Sequence, residues 1–198
     1  IQIIANPSTQ LIGASGTLES ITLLGNLNLN AATDVVGSLN LISGVLTTND
    51  HLTLKSSAGK TAFVAPVVSG SVNGDVIVEQ FYSEQRAYRF VGSTVNMTGT
   101  LFDNWQQGGL DPGDAGYEPG IGTHITGGTL ANGFDQSSTN ASSAFIFNNT
   151  TQAWVDLSPT NATVLEPGEP VRLYIRGDRS ISLSTAGSLP TATTIRSK

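Results

Sequence analysis

Apolar and polar residues alternate along most of this chain. Leu27 and Leu29, Leu39 and Leu41, Leu52 and Leu54, Val76 and Val78, Phe145 and Phe147, Leu173 and Ile175, and Ile181 and Leu183 form pairs with one residue between them. A period of two puts each pair on one face of a strand, so each predicts a strand with a buried side. Apolar residues at helical spacing never persist over ten residues without a Gly, Pro or Asn cluster. Helix is therefore expected only as a turn near Leu101–Gln107.

The alternation is organised into a loose repeat over the first sixty residues. NLNLN from Asn26, SLNLIS from Ser38 and HLTLKS from His51 are separated by 12 and then 13 residues. Such spacing with turn residues suits consecutive strands of a sheet, and it also suits the coils of a β-solenoid. SSAGK at Ser56–Lys60 interrupts the pattern, after which strands become longer and more aromatic. The Asn-Gly step in VNGD, Val72–Asp75, predicts a hairpin between Phe63–Val68 and Val76–Tyr82. LEPGEPVRLYIRGDRSISL predicts a further meander, with RGDR as a tight hairpin holding a local ion pair.

These signals together predict an all-β chain. Residues 59–198 would form an antiparallel, jelly-roll-like β-sandwich, and residues 1–58 a strand ladder or short β-solenoid-like section packed onto it. Thr100–Ser137, rich in glycine, acids and aromatics, is expected as a long surface loop.

Composition removes several chemistries. Cysteine is absent from the 198 residues, so thiol catalysis and zinc-thiolate sites are excluded. Net charge is −6, which argues against nucleic acid, whose phosphates need clustered Lys and Arg. No apolar run approaches the ~18 residues of a membrane span, and the first residues lack the zones of a signal peptide. Abundant Thr, Asn, Ser and Gly with few lysines fit an exported bacterial surface protein.

Several strings occur in a definite order: SGVLTTNDHLTLKS, TAFVAPVVSGSVNGDVIVEQFY, RAYRFVGSTV, LFDNWQQGG, GTHITGG, GFDQS, and VRLYIRGDRSISL followed by TATTIR. In that order, over about residues 39–196, the chain resembles a domain of large secreted Bacteroidetes proteins. Members of that group lie upstream of a C-terminal sorting domain read by the type IX secretion system. The resemblance implies an exported, modular, adhesin-like protein at or beyond the cell surface. It carries over no catalytic residue, and the sorting domain itself is missing here.

Candidate chemistry is binding. Asp111, Asp114 and Glu118 in DPGDAGYEPG are candidate calcium ligands, although the spacing departs from the EF-hand pattern. Trp105, Tyr117 and Trp154 are candidate sugar-stacking residues, with core anchoring as the competing role for both tryptophans. A glycosidase would need two facing carboxylates, such as Asp103 with Asp135 or Glu118. No nucleophile elbow, zinc-helix or phosphate-loop motif is present, and His124 reads as a hydrogen-bonded structural residue. The expected function is a non-catalytic structural or adhesive module requiring no cofactor. Two alternatives stand beside it: a carbohydrate-binding module, with calcium if the acidic loop holds it, and a filament subunit joined by strand addition at Ile1–Ile4 or Ile195–Lys198. Its partners would be neighbouring modules or protomers, or a polysaccharide or host glycan.

Overall fold

A computed structural model of the chain describes residues 2–5, 10–107, 117–181, 183 and 191–198. The all-β class holds, and the chain divides into two compact units, Ile1–Gln80 and Phe81–Lys198. No helix among the described residues is long and apolar enough to cross a membrane.

The first unit is built from parallel strands in two sheets. One sheet contains β1 (Gln2–Ala5), β3 (Gly16–Leu23), β5 (Thr33–Leu41), β7 (Leu52–Leu54) and the start of β10 (Val76–Tyr82), with β8 (Phe63–Val64) paired to β5. The other contains β2 (Gln10–Ile12), β4 (Leu27–Leu29), β6 (Val45–Thr47) and β9 (Ser71–Asn73). The chain passes from one sheet to the other and back, each pass stacking on the last. This is a short β-solenoid, one of the two arrangements the repeat left open.

Register shows why the repeat looked shorter in sequence than it is. Leu27 lies beside Leu46 and Thr33 beside Leu52, 19 residues on in both cases. The spacing of 12 or 13 links Leu27 of one sheet to Leu39 of the other. Leu-x-Leu marks a strand in either sheet, so counting such strings mixes the two. The interior is made by the inward positions of both sheets, among them Ile21, Leu27, Leu29, Leu46 and Leu52, all fully buried. Each buried leucine contributes about 1.5–3 kcal/mol relative to exposure.

Stacking this close sets demands at the corners. Gly44 has φ +84°, and a Cβ there would lie 2.4 Å from the backbone of Gly25 in the adjacent coil. Gly37 sits where β5 carries one more residue than β3, and a Cβ on it would meet Glu19 O at 2.4 Å. Asparagines close other corners: Asn26 Oδ1 accepts from Val45 N at 3.0 Å, and Asn49 Nδ2 donates to Leu29 O at 2.8 Å. VNGD belongs to this set. Gly74 does take φ +99°, but β9 and β10 on either side of it belong to different sheets and pair in parallel with earlier coils. The expected hairpin is a solenoid corner, because the coil beneath supplies each strand's partner before its sequence neighbour can.

The second unit holds an antiparallel sheet. Its four-stranded sheet has the order β11 (Ala87–Val91), β14 (Val171–Ile175), β12 (Ala144–Asn148), β13 (Ala153–Asp156). β15 (Thr193–Ser197) lies apart from it and bridges Ile121 through Thr194. The inner face carries Val91, Val171, Leu173 and Ile175, all buried. What covers it comes largely from the segment expected at the surface. Within Thr100–Ser137, Leu101, Trp105, Ile125 and Phe134 belong to the core. Helix α1 (Leu101–Trp105) forms where a helical turn is expected, held by a capping box between Thr100 and Asp103. Glycine and acid density suggested exposure, yet the segment folds inward, with Asn104, Gln106 and Thr126 side chains donating to backbone carbonyls.

Candidate functional site

The outer face of the antiparallel sheet is aromatic. Cross-strand register aligns Phe90, Arg172, Phe145 and Asp156 in one row across all four strands, Tyr88 with Tyr174 in a second, and Phe147 with Trp154 in a third. Side chains directly opposite in antiparallel strands share a face. Phe90 is 72% exposed, Tyr88 and Phe147 are exposed, and Phe145, Trp154, Arg172 and Tyr174 are half-buried. Six aromatic side chains and one arginine thus occupy a face that the fold does not bury.

The rings contact one another at varied angles. Tyr88 and Tyr174 are 4.9 Å apart between centroids, and Phe147 meets Trp154 edge-on at 5.3 Å. Trp154 also reaches over the two intervening strands to Phe90, 5.7 Å away with a tilt of 33°. The Arg172 guanidinium lies 4.2 Å above the Tyr88 ring and 5.3 Å from that of Phe145, while Arg176 lies 5.0 Å from Tyr174. These rings are prearranged by mutual packing, with interplanar tilts between 33° and 65°. A single ligand chain can insert against such a corrugated surface more readily than a flat sheet of polymer can.

Of the sugar-stacking candidates, only Trp154 belongs to this face. Trp105 is fully buried in α1 and donates from Nε1 to Ser197 Oγ at 3.2 Å, so it anchors the core. Tyr117 is half-buried in a loop and takes part in none of the ring contacts among the described residues. Tyr88, Phe90, Phe145, Phe147 and Tyr174 were not singled out by sequence reasoning. Phe145 and Phe147 were instead read as a buried pair, although the buried partners on that strand are Ala144 and Ile146. The signal that could have found the face was aromatic alternation on two strands, in RAYRF and AFIFN, with Arg172 and Tyr174 alternating in VRLYI.

The acidic candidates divide. Asp111 and Asp114 lie outside the described residues. Glu118 is ion-paired with Arg196, and its backbone N–H donates to Gln107 Oε1 at 2.9 Å. No metal-binding group of three ligands occurs among the described residues.

Carboxylates considered for acid–base chemistry have structural work. Asp103 accepts from Thr100 N and Thr100 Oγ1 at 2.8 and 2.7 Å, capping α1. Asp135 is buried at the centre of a polar knot. Its Oδ2 accepts from Ile125 N, Gln106 Nε2 and Arg179 Nη1 at 2.9, 2.9 and 3.0 Å, and lies 3.3 Å from His124 Nδ1. Arg179 Nη2 stands 3.0 Å from Oδ1, an ionic contact without good hydrogen-bond alignment. Burial by itself raises the Asp135 carboxyl; the hydrogen bond and charge of His124, the Arg179 charge and the Ile125 N–H outweigh it and hold the carboxyl below its ordinary value. His124 Nε2 is 2.8 Å from Ile181 O, so both ring nitrogens face acceptors.

That knot also corrects the reading of RGDR. Arg179 pairs with Asp135 rather than with adjacent Asp178, whose carboxylate accepts from Gly120 N, Ser180 Oγ and Thr191 Oγ1. Ile181 and Leu183 lie in irregular chain, not in the expected strand. Of the Ile1–Ile4 end offered for strand donation, the described strand Gln2–Ala5 pairs on one side, in parallel with Ser20–Leu23, and stands at the end of its sheet. At the other end, Thr98 N donates to Lys198 O at 2.5 Å, and Lys198 N to Asn104 Oδ1 at 2.8 Å, so β15 is tied to the chain leading into α1.

Comparison with family models, with curated proteins and with solved structures finds no match to any of them.

Proposed function

We propose that this chain is a non-catalytic adhesive module of a secreted bacterial surface protein, and that it binds carbohydrate through the outer face of its antiparallel sheet. The observation carrying this reading is the outer-face row system of Tyr88, Phe90 and Phe147, exposed, with Phe145, Trp154 and Tyr174, half-buried. Exposed contiguous apolar surface at this density is uncommon on a soluble domain and marks interaction sites. Aromatic rings offer apolar faces to the C–H surfaces of a pyranose, while tyrosine hydroxyls and the Arg172 guanidinium supply polar contacts at the margin.

The solenoid unit suits a spacing role, since its inward residues are spent on its own core and its coils repeat. Secretion and surface location rest on the Bacteroidetes resemblance and the Thr- and Asn-rich composition, and adhesion on the aromatic face. Sheet aromatics, rather than the Tyr117 loop, are the contact residues in this reading. Glycan-array binding of the purified chain against Phe90→Ala and Trp154→Ala variants tests it. Retention lost in both variants, with an unchanged melting temperature, is the expected result; retention unchanged in both removes the face from the binding site.

A further inference from the structure

The aromatic face is also the cationic face of an acidic protein. Arg172 and Tyr174 alternate along β14, Arg176 follows directly after its last residue, and Arg172 lies in the central row between Phe90 and Phe145. Neither Arg172 nor Arg176 is ion-paired to an acid among the described residues; Arg176 is half-buried, with its Nη1 buried and lacking a hydrogen-bond partner, so a ligand would reach the guanidinium at its other nitrogens. Arg86 adds a third positive charge nearby. Burial first, and the like charge of Arg86 in smaller part, pull the Arg176 guanidinium below its ordinary value. The chain has 15 acids to 9 basic residues, yet the only acid in the three rows is Asp156, at the β13 edge. Two arginines, Arg172 and Arg176, without an ion-paired acid among the described residues of a protein of net charge −6 mark where negative charge is supplied from outside.

Resting on the carbohydrate reading above, we infer that the ligand is an acidic polysaccharide, a chain of uronate-type sugars whose rings pack on the aromatic rows and whose carboxylates meet Arg172 and Arg176. Four residues of extended strand separate the two arginines by about 13 Å, so they engage carboxylates on different sugar rings. Guanidinium groups already seated on Tyr88 and Tyr174 are held in place and lose little freedom when a carboxylate arrives. Nucleic acid is disfavoured as occupant, because its dense phosphates would face the acidic remainder of the chain with only a few arginines in compensation.

Calorimetric titration with oligogalacturonate, and with its methyl ester as a neutral ligand of the same ring surface, provides the test. Oligogalacturonate should bind at least tenfold more tightly than the ester, and the preference should shrink as salt rises. Arg176→Gln should reduce oligogalacturonate affinity about tenfold without altering ester binding, while Arg172→Gln, which also removes a margin contact to the sugar, should weaken both ligands and the acid more, with Arg172→Lys recovering part of the acid's loss. Should R172Q fail to fold, R176Q and the acid-to-ester ratio of the unsubstituted chain decide the matter. Equal affinity for acid and ester overturns the charge assignment while leaving carbohydrate binding intact. Binding to neither, or to oligothymidylate instead, overturns this inference and the carbohydrate reading together.

Discussion

The two units use apolar alternation to different ends. In the solenoid the inward positions of β3, β4 and β5 are mostly leucine, isoleucine and valine, with Ser20, Thr33 and Gly37 among them, and the alternate positions are mostly polar. In the antiparallel unit the sheet is apolar on both faces, aliphatic inward and aromatic outward. Folding accounts for every apolar residue inside the first interior, but for only one face of the second sheet. The solenoid also exposes Leu24, Ile42, Val45 and Val72, each only a little above a third, and more fully Phe63, Val64, Val67 and Val68 along a single segment. That exposed set contains one aromatic, against the six gathered in register on the antiparallel sheet. Surplus apolar surface that is ordered by register is what separates a binding face from a stretch of exposed chain.

That contrast breaks most visibly in the interiors. Leu27→Ala or Leu46→Ala, each opening a cavity at a fully buried leucine, should cost about 2–5 kcal/mol in denaturant unfolding. A comparable loss, about 3–5 kcal/mol, is expected when Asp135→Ala leaves the buried Arg179 guanidinium without its partner. Gly44→Ala should cost about 1–3 kcal/mol, through its positive φ and its contact with Gly25. Phe90→Ala stands at the other extreme: the side chain is 72% exposed, so stability should change by less than about 0.5 kcal/mol while glycan retention falls. A large stability loss in Phe90→Ala would place the aromatic rows among the folding residues and dissolve the comparison.

Acid sharpens the same contrast. Because the folded Asp135 carboxyl titrates below the unfolded value of about 3.9, its contribution is complete above that pH and disappears as pH falls through the folded value. Both tryptophans, Trp105 and Trp154, lie in the second unit, so their fluorescence follows that unit alone. Its unfolding midpoint in denaturant should fall as pH drops below about 4, and Asp135→Asn should flatten that dependence.

Much of this architecture is written locally. Period-two spacing marks the strands, Thr100 and Asp103 spell a capping box, and Asn-Gly at Asn73 and Gly74 marks a change of direction. Local signals carry no information about partners, and the misreadings follow from that. Asn73-Gly74 turns the chain in a hairpin and at a solenoid corner alike, and only the coil beneath selects the second. Phe145 and Phe147 look like core residues because phenylalanine is usually buried; the choice of face belongs to Ala144 and Ile146, which fit against Leu173 and its neighbours. Arg179 could have paired with Asp178 beside it, but the fold brings Asp135 to it across 44 residues of sequence.

By itself, then, the sequence determined the all-β class, most strand positions, the short helix and the acidic, cysteine-free character, since each depends on residues near one another in the chain. Tertiary structure decided the parallel stacking of the first unit, the burial of Trp105 and the Asp135 knot, and the gathering of six aromatics and Arg172 on one open face. These depend on which strands become neighbours and which side of each faces inward, and a period of two is the same for either side.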